Sequence, residues 1–165
     1  MTMTYRDKLA KKADLGPGEC LLGGMTATPA GGLLRNAASV GAGVALGAVG
    51  AVTTATIQQA SDRNPAPVAG FPTAPTMAIG LTERRILVWG LSALTGSPSK
   101  LLGEVPVSSV RDVTWGNGKT LGIRNGVLEL TLTNESVASL EVPRRHLKEG
   151  EAFAVALRAL LPTAF

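Results

Sequence analysis

The sequence predicts a mainly β protein (β+α): an antiparallel seven-strand barrel or sandwich, a C-terminal capping helix, and a Gly/Ala-rich helical insertion after the first strand. Three observations carry this expectation. From Met77 onward, short apolar runs alternate with turn residues at the spacing of an antiparallel meander. After Pro143 the pattern changes to an apolar stripe of helical period. Between Ala37 and Ile57, about 21 residues carry no charge and are almost wholly Gly, Ala, Val, Ser and Thr.

The 165 residues suit one domain with an appendage. The organisation read from composition is a basic N-terminal helix (1–13), a β domain built from 14–28 plus 77–162, the Gly/Ala-rich insertion (29–61) and a Pro-rich linker (62–76). Aromatic residues make up 4% of the chain, too few for a base-stacking platform, and the net charge of +4 is spread out rather than gathered into a DNA-binding patch. No nucleic-acid partner is expected. Cys20 is the only cysteine and His146 the only histidine, so a disulfide framework, a thiol metal site and a Cys–His nucleophile pair are not expected. Cys20 reads as a small core residue. Met1–Ala13 is polar and basic and lacks the early apolar run of a signal peptide. The expected location is cytoplasmic, with contact to the inner face of the membrane.

Taken in order, Thr4–Ala13 reads as a short helix with Tyr5, Leu9 and Ala13 on one face and Arg6, Lys8, Lys11 and Lys12 elsewhere. Such a helix docks on its own domain with a solvated charged face, or lies on an anionic membrane. Asp14–Gly18, with Pro17 between two glycines, stops it. Glu19–Thr28 is the first strand, and Gly23-Gly24 suggests a bulge or kink in it. The prolines at 65, 67, 72 and 75 make 62–76 a semi-rigid extended connector. Met77–Leu81 and Arg85–Leu91 are strands about a tight turn at Thr82-Glu83-Arg84, and Lys100–Val105 follows a loop. Beyond a break at Pro106 come Val110–Trp115, with a slip that hints at a bulge, then Lys119–Arg124, Val127–Thr133 and Ser136–Val142. Asn117-Gly118 and Asn125-Gly126 both read as hairpin turns, because the two central positions of a type I′ turn need positive φ. Glu149–Leu161 is a helix whose Phe153, Leu157, Leu160 and Leu161 make one stripe suited to closing the open end of the sheet.

The uncharged stretch admits several readings. At 1.5 Å per residue it would extend roughly 31 Å, enough to cross a bilayer core. Ser39, Gly43, Gly47 and Ala51 recur every fourth position, a small-xxx-small pattern that lets helices approach closely. Leu46 and Ile57 are its only large aliphatics, so the transfer energy favouring insertion of a lone helix is small. Helix–helix packing, contact with a membrane surface and a flexible connector remain alongside spanning.

Gly18-Glu19 before the first strand, the run Gly80-Leu81-Thr82-Glu83-Arg84-Arg85-Ile86-Leu87-Val88-Trp89, and Gly103-Glu104-Val105-Pro106 with Val110 after it resemble the bacterial pleckstrin-homology-like (PH-like) domains. In those domains a leucine-threonine-x-x-arginine-apolar hairpin precedes a glycine-x-isoleucine-proline strand. The resemblance covers Asp14–Thr28 and Met77–Leu161. It implies about seven strands with a closing helix, a binding or scaffolding module near membranes, and no enzyme activity. One departure matters. Many lipid-binding members hold inositol phosphates with basic residues in the loop after the first strand. Here about fifty residues replace that loop, with Arg35 the only basic residue before Arg63, so phosphoinositide binding is not carried over. If the first strand pairs with strands after Met77, both ends of the insertion leave from the same side. A single membrane crossing would then tear the domain in two, which leaves a re-entrant hairpin, a surface helix or a helix packed on protein.

Chemistry-bearing patterns are few. Gly41-Ala42-Gly43 with Gly47 lacks the preceding strand and following acid of a nucleotide fingerprint, and no cofactor or metal is expected. Arg84, at the first hairpin, and Arg144, Arg145 and Lys148, before the last helix, are candidates for contact with an acidic partner or are solvated charges. The functional expectation is a non-catalytic binding or scaffolding module that associates with a membrane surface or with itself through Ser39, Gly43, Gly47 and Ala51. Its partners would be a second copy, an anionic membrane or another protein. The alternatives are an accessory subunit of a larger complex and a carrier of a small apolar ligand.

Overall fold

The computed structural model describes residues 4–31, 68–92, 94–120 and 122–162. They form seven strands, β1 (Gly23–Pro29), β2 (Met77–Leu81), β3 (Arg85–Leu91), β4 (Pro98–Pro106), β5 (Val110–Thr120), β6 (Ile123–Leu132) and β7 (Val137–Val142). Two helices, α1 (Tyr5–Ala10) and α2 (Leu147–Leu160), flank the strands in sequence. Every pairing is antiparallel, in the order β4-β3-β2-β1-β7-β6-β5. β1 is the shared strand: Gly23–Ala27 pair with β2, and Thr28 and Pro29 pair with β7. β4 and β5 are the two edges, so the ladder stays open and does not close into a hydrogen-bonded barrel. A 3₁₀ turn at Val107–Ser109 carries the chain from one edge to the other.

One core lies between the two halves. Met25, Ile79, Ile86 and Val88 meet Val113, Leu128, Leu130 and Leu140 there, with Phe153 and Leu157 of α2. Successive strand residues point to opposite faces. On β2 and β3 the outward set is also covered: Ala78, Leu87 and Trp89 pack with Leu9 and Leu21 in a second cluster. Burial of both faces is why these strands read as unbroken apolar runs, and why their ends are found where the sequence placed them.

α1 is the cover on that outer face. Six residues are too few for a helix to persist alone in water. A reciprocal cap at Thr4 and Asp7 satisfies its first turn, and fully buried Leu9 anchors it. Its charged face is left in solvent, as the docked reading of Thr4–Ala13 expects.

Gly23-Gly24 does not form a bulge. β1 runs in unbroken register with β2 from Gly23↔Leu81 to Ala27↔Met77. The glycines permit close approach instead. A Cβ on Gly23 would sit 3.6 Å from Phe153 of α2, and one on Gly24 would sit 2.8 Å from Leu9 of α1. Adjacent residues of a strand face opposite ways, so β1 accepts a helix on each side at consecutive positions.

The β5–β6 hairpin corrects the sequence reading most clearly. Asn117-Gly118 and Asn125-Gly126 are not turns but ladder partners, Asn117 opposite Gly126 and Gly118 opposite Asn125. The chain reverses between Thr120 and Ile123, where Gly122 has φ +77°. Lys119–Arg124 is therefore not a strand of its own. The expected slip is present as a register shift between Val110 and Asp112. Cys20 is also corrected: it is exposed, not a core residue. Within the Pro-rich stretch, Phe71 is buried in the core, and the Ala69 carbonyl accepts hydrogen bonds from Asn134 Nδ2 and Ser136 Oγ. The last helix starts at Leu147, two residues earlier than expected, after a 3₁₀ turn at Arg144–His146. Arg158 on α2 donates to the Val113 carbonyl at 2.8 Å, which ties the helix to β5.

Candidate functional site

The predicted site residues separate into three groups. Ser39, Gly43, Gly47 and Ala51 lie outside the described residues. Arg84 stands exposed at the β2–β3 turn. Arg144, Arg145 and Lys148 are exposed at the approach to α2 and in its first turn. Arg84 therefore belongs to a different element from the other three basic candidates.

Its neighbour Arg85 is committed. Arg85 Nη2 donates to Glu19 Oε2 at 2.9 Å and Nε to Glu19 Oε1 at 3.0 Å, and Nη1 pairs with Glu104. Glu19 also accepts from the Gly16 amide at 2.9 Å and the Thr82 hydroxyl at 2.7 Å. Its side chain is 4% exposed. The Arg85 hydrogen bonds, then those from Gly16 and Thr82, hold its carboxyl down at about 2. Every acceptor direction of the carboxylate that the network reaches is filled, so this cluster is a structural clasp. It fastens the segment before β1 to the β2–β3 hairpin.

Arg144, Arg145 and Lys148 acquire neighbours that spacing could not reveal. Tyr5 of α1 meets His146 edge-on, with ring centroids 5.0 Å apart. Tyr5 Oη and His146 Nδ1 are buried and have no hydrogen-bond partner among the described residues. Burial pushes the Tyr5 hydroxyl up to about 12, against the opposing pull of Arg145. The same burial lowers His146, Arg145 adds to that, and Glu149 opposes it. Because Arg145 acts on both rings, the basic approach to α2 lies beside α1.

His146 is the single histidine, so its ring signals can be followed alone by NMR. They are expected to titrate below 6.5. A lowered folded-state pKa means the fold disfavours the charged ring. The contact thus adds stability above the ordinary histidine value and loses it as pH falls through the folded one. Tyr5→Ala, which opens the contact, is expected to move the midpoint upward. A wild-type midpoint at or above the ordinary value would remove the burial argument.

A third place is the root of the segment between β1 and β2. Ala27 pairs with Met77 across the ladder, and the Ala30 amide bonds to the Ser139 carbonyl at 3.0 Å. Both ends of residues 30–76 therefore spring from neighbouring strands. Beside this root an apolar groove of about 160 Å³ is lined by Pro29, Ala30, Val68, Thr73, Ala138 and Leu140. Among the described residues no helix is long and apolar enough to cross a membrane. No protein-family model matches the chain, and no curated protein matches it either.

Proposed function

We propose that this chain is a non-catalytic binding or scaffolding module of the PH-like kind. It associates with a membrane surface or with a second copy of itself through the segment between β1 and β2. The observation that carries the reading is the register Ala27↔Met77. A long, locally uncharged segment tethered at both ends to neighbouring strands leaves and re-enters the sheet at one place. It can meet a bilayer or a sister chain without separating the strands that hold it. The PH-like assignment is supported by the β4-β3-β2-β1-β7-β6-β5 order followed by a C-terminal helix. Residues with the small-xxx-small spacing, Ser39, Gly43, Gly47 and Ala51, are the proposed contacts.

The test compares the full chain, a variant lacking Ala37–Ile57, and Gly43→Leu/Gly47→Leu. Each is measured by vesicle flotation and by sedimentation velocity. The reading expects the deletion to abolish whichever association the wild type shows. Loss in the double-leucine variant as well would assign the contact to the glycines. If the deletion floats and self-associates like the wild type, the segment is not the contact and the reading fails.

A further inference from the structure

We infer that α1 and the approach to α2 form one composite basic surface whose partner is an anionic lipid bilayer. This deepens the membrane reading above, but it rests on different residues. Lys8, Lys11 and Lys12 at one end of the chain and Arg144, Arg145 and Lys148 near the other are all exposed. None of the six is in an ion pair among the described residues. The Tyr5–His146 contact joins their two elements, and Arg145 sits close enough to act on both rings. Leu9, buried against the sheet and seated over Gly24, holds α1 in place. The acids on these elements are fewer: Asp7, which is bound to Thr4 and Arg6, and Glu149 and Glu151.

The side chains present favour lipid over other polyanions. Recognition of single-stranded nucleic acid uses exposed aromatic faces, and the one aromatic ring of α1 is turned onto His146. Lys side chains dominate the α1 face, and they act as mobile point charges rather than as the rigid bidentate forks suited to a defined carboxylate or phosphate. Such charges add roughly independently near an anionic bilayer and need no shape match. β1, on which α1 packs, is also the strand from which the uncharged segment springs.

The experiment is co-sedimentation of the full chain with phosphatidylcholine vesicles, with and without phosphatidylglycerol. Its variants are Lys8→Gln/Lys11→Gln/Lys12→Gln, Arg144→Gln/Arg145→Gln/Lys148→Gln, the two sets combined, and, as control, Arg111→Gln, exposed at the end of β5 that pairs with Leu132 and so away from the end of β6 that neighbours Arg144–His146. Circular dichroism checks that each remains folded. The expected result is binding only to the anionic vesicles, weakened about a hundredfold by either set of three charges and unchanged in the control. Raising salt from about 0.05 M to about 0.5 M should release the protein, because the screening length falls severalfold. The inference is overturned if the combined variant still binds, if only one set matters, if neutral vesicles bind equally, or if duplex DNA or polyglutamate is bound while anionic vesicles are not. The Ala37–Ile57 deletion separates the two ideas. Salt-sensitive binding kept by the deletion and lost by the combined variant supports this surface and refutes the segment as the membrane contact. The reverse pattern overturns the surface and leaves the segment.

Discussion

Glu19→Ala is expected to destabilise the fold by about 3 kcal/mol, the scale seen when one partner of a buried ion pair is removed. Four donor groups converge on that carboxylate: the Gly16 amide, the Thr82 hydroxyl and two nitrogens of Arg85. Deleting it leaves the Gly16 amide and Arg85 Nε without their acceptor, while the Thr82 hydroxyl keeps the Arg85 carbonyl and Arg85 Nη2 the Asp14 carbonyl, and an unmade buried hydrogen bond costs more than a made one contributes. The Glu104 limb of the same network is half exposed, so Glu104→Ala is expected to cost under about 1 kcal/mol. The two substitutions also differ in acid. Glu19 is held at about 2, well below its ordinary 4.5. A depressed carboxylate contributes stability that is fully present above the ordinary value and is lost as pH falls toward the folded-state value. Wild-type stability should therefore drop between about pH 4.5 and about pH 2, and the Glu19→Ala profile should be flatter there. Urea melts across that range measure it. Parallel wild-type and variant profiles would show that the clasp is not formed in solution.

Gly126→Val should cost about 2–3 kcal/mol by forcing the Trp115 indole from its seat. The indole of Trp115, on β5, lies over Gly126 of β6 and Gly150 of α2. A Cβ on Gly150 would approach it to 2.5 Å, and one on Gly126 would overlap it. Gly150 is buried, and the ring, itself partly buried, packs against the core. Three elements thus meet at one side chain that two missing Cβ atoms admit. The decisive measurement is a double-mutant cycle. In a Trp115→Ala background the same valine should cost much less, because the clash is gone and the cavity accepts it. Equal cost in both backgrounds would mean that Gly126 is required for its backbone and not for the indole.

This pair of glycines also shows where local reading failed. Asn125-Gly126 looks like a turn because Gly tolerates positive φ and Asn often adopts it. Gly126 instead lies in an extended ladder, where Trp115 occupies the space a Cβ would need. Asn125 is buried, and its amide donates to Thr120 Oγ1 at 3.0 Å. A turn preference is a local bias, and the continuous Val113–Thr120 ladder with its seated indole outweighs it. Gly23-Gly24 misled in the same way, since its cause is two helices pressing from opposite sides of β1.

Of the candidate sites, exposure of Arg84, Arg144, Arg145 and Lys148 agrees with their charge, but grouping them needed three dimensions. Arg84 and Arg85 are adjacent in sequence and differ completely in role, because only one of two neighbouring residues can face the Glu19 carboxylate. Nothing in the spacing of Tyr5 and His146 relates them. Their contact exists because α1 packs over β1 and the chain passes beside it on leaving β7.

The amino-acid pattern alone determined the elements with strong apolar signals: β2 and β3 to the residue, β7 nearly so, and the Phe153–Leu157 stripe of the last helix. Burial of both faces makes β2 and β3 unbroken apolar runs bounded by turn residues, and burial of one face imposes a period on β7 and the helix. Tertiary structure decided what depends on a single close approach between distant residues. The hairpin register, the two glycine seats on β1, the Glu19 clasp and the union of two basic segments beside Tyr5 and His146 are of that kind. Each is set by the shape of a partner far away in the chain, and a missing Cβ or an isolated charge has the same one-letter code whether its reason is local or distant.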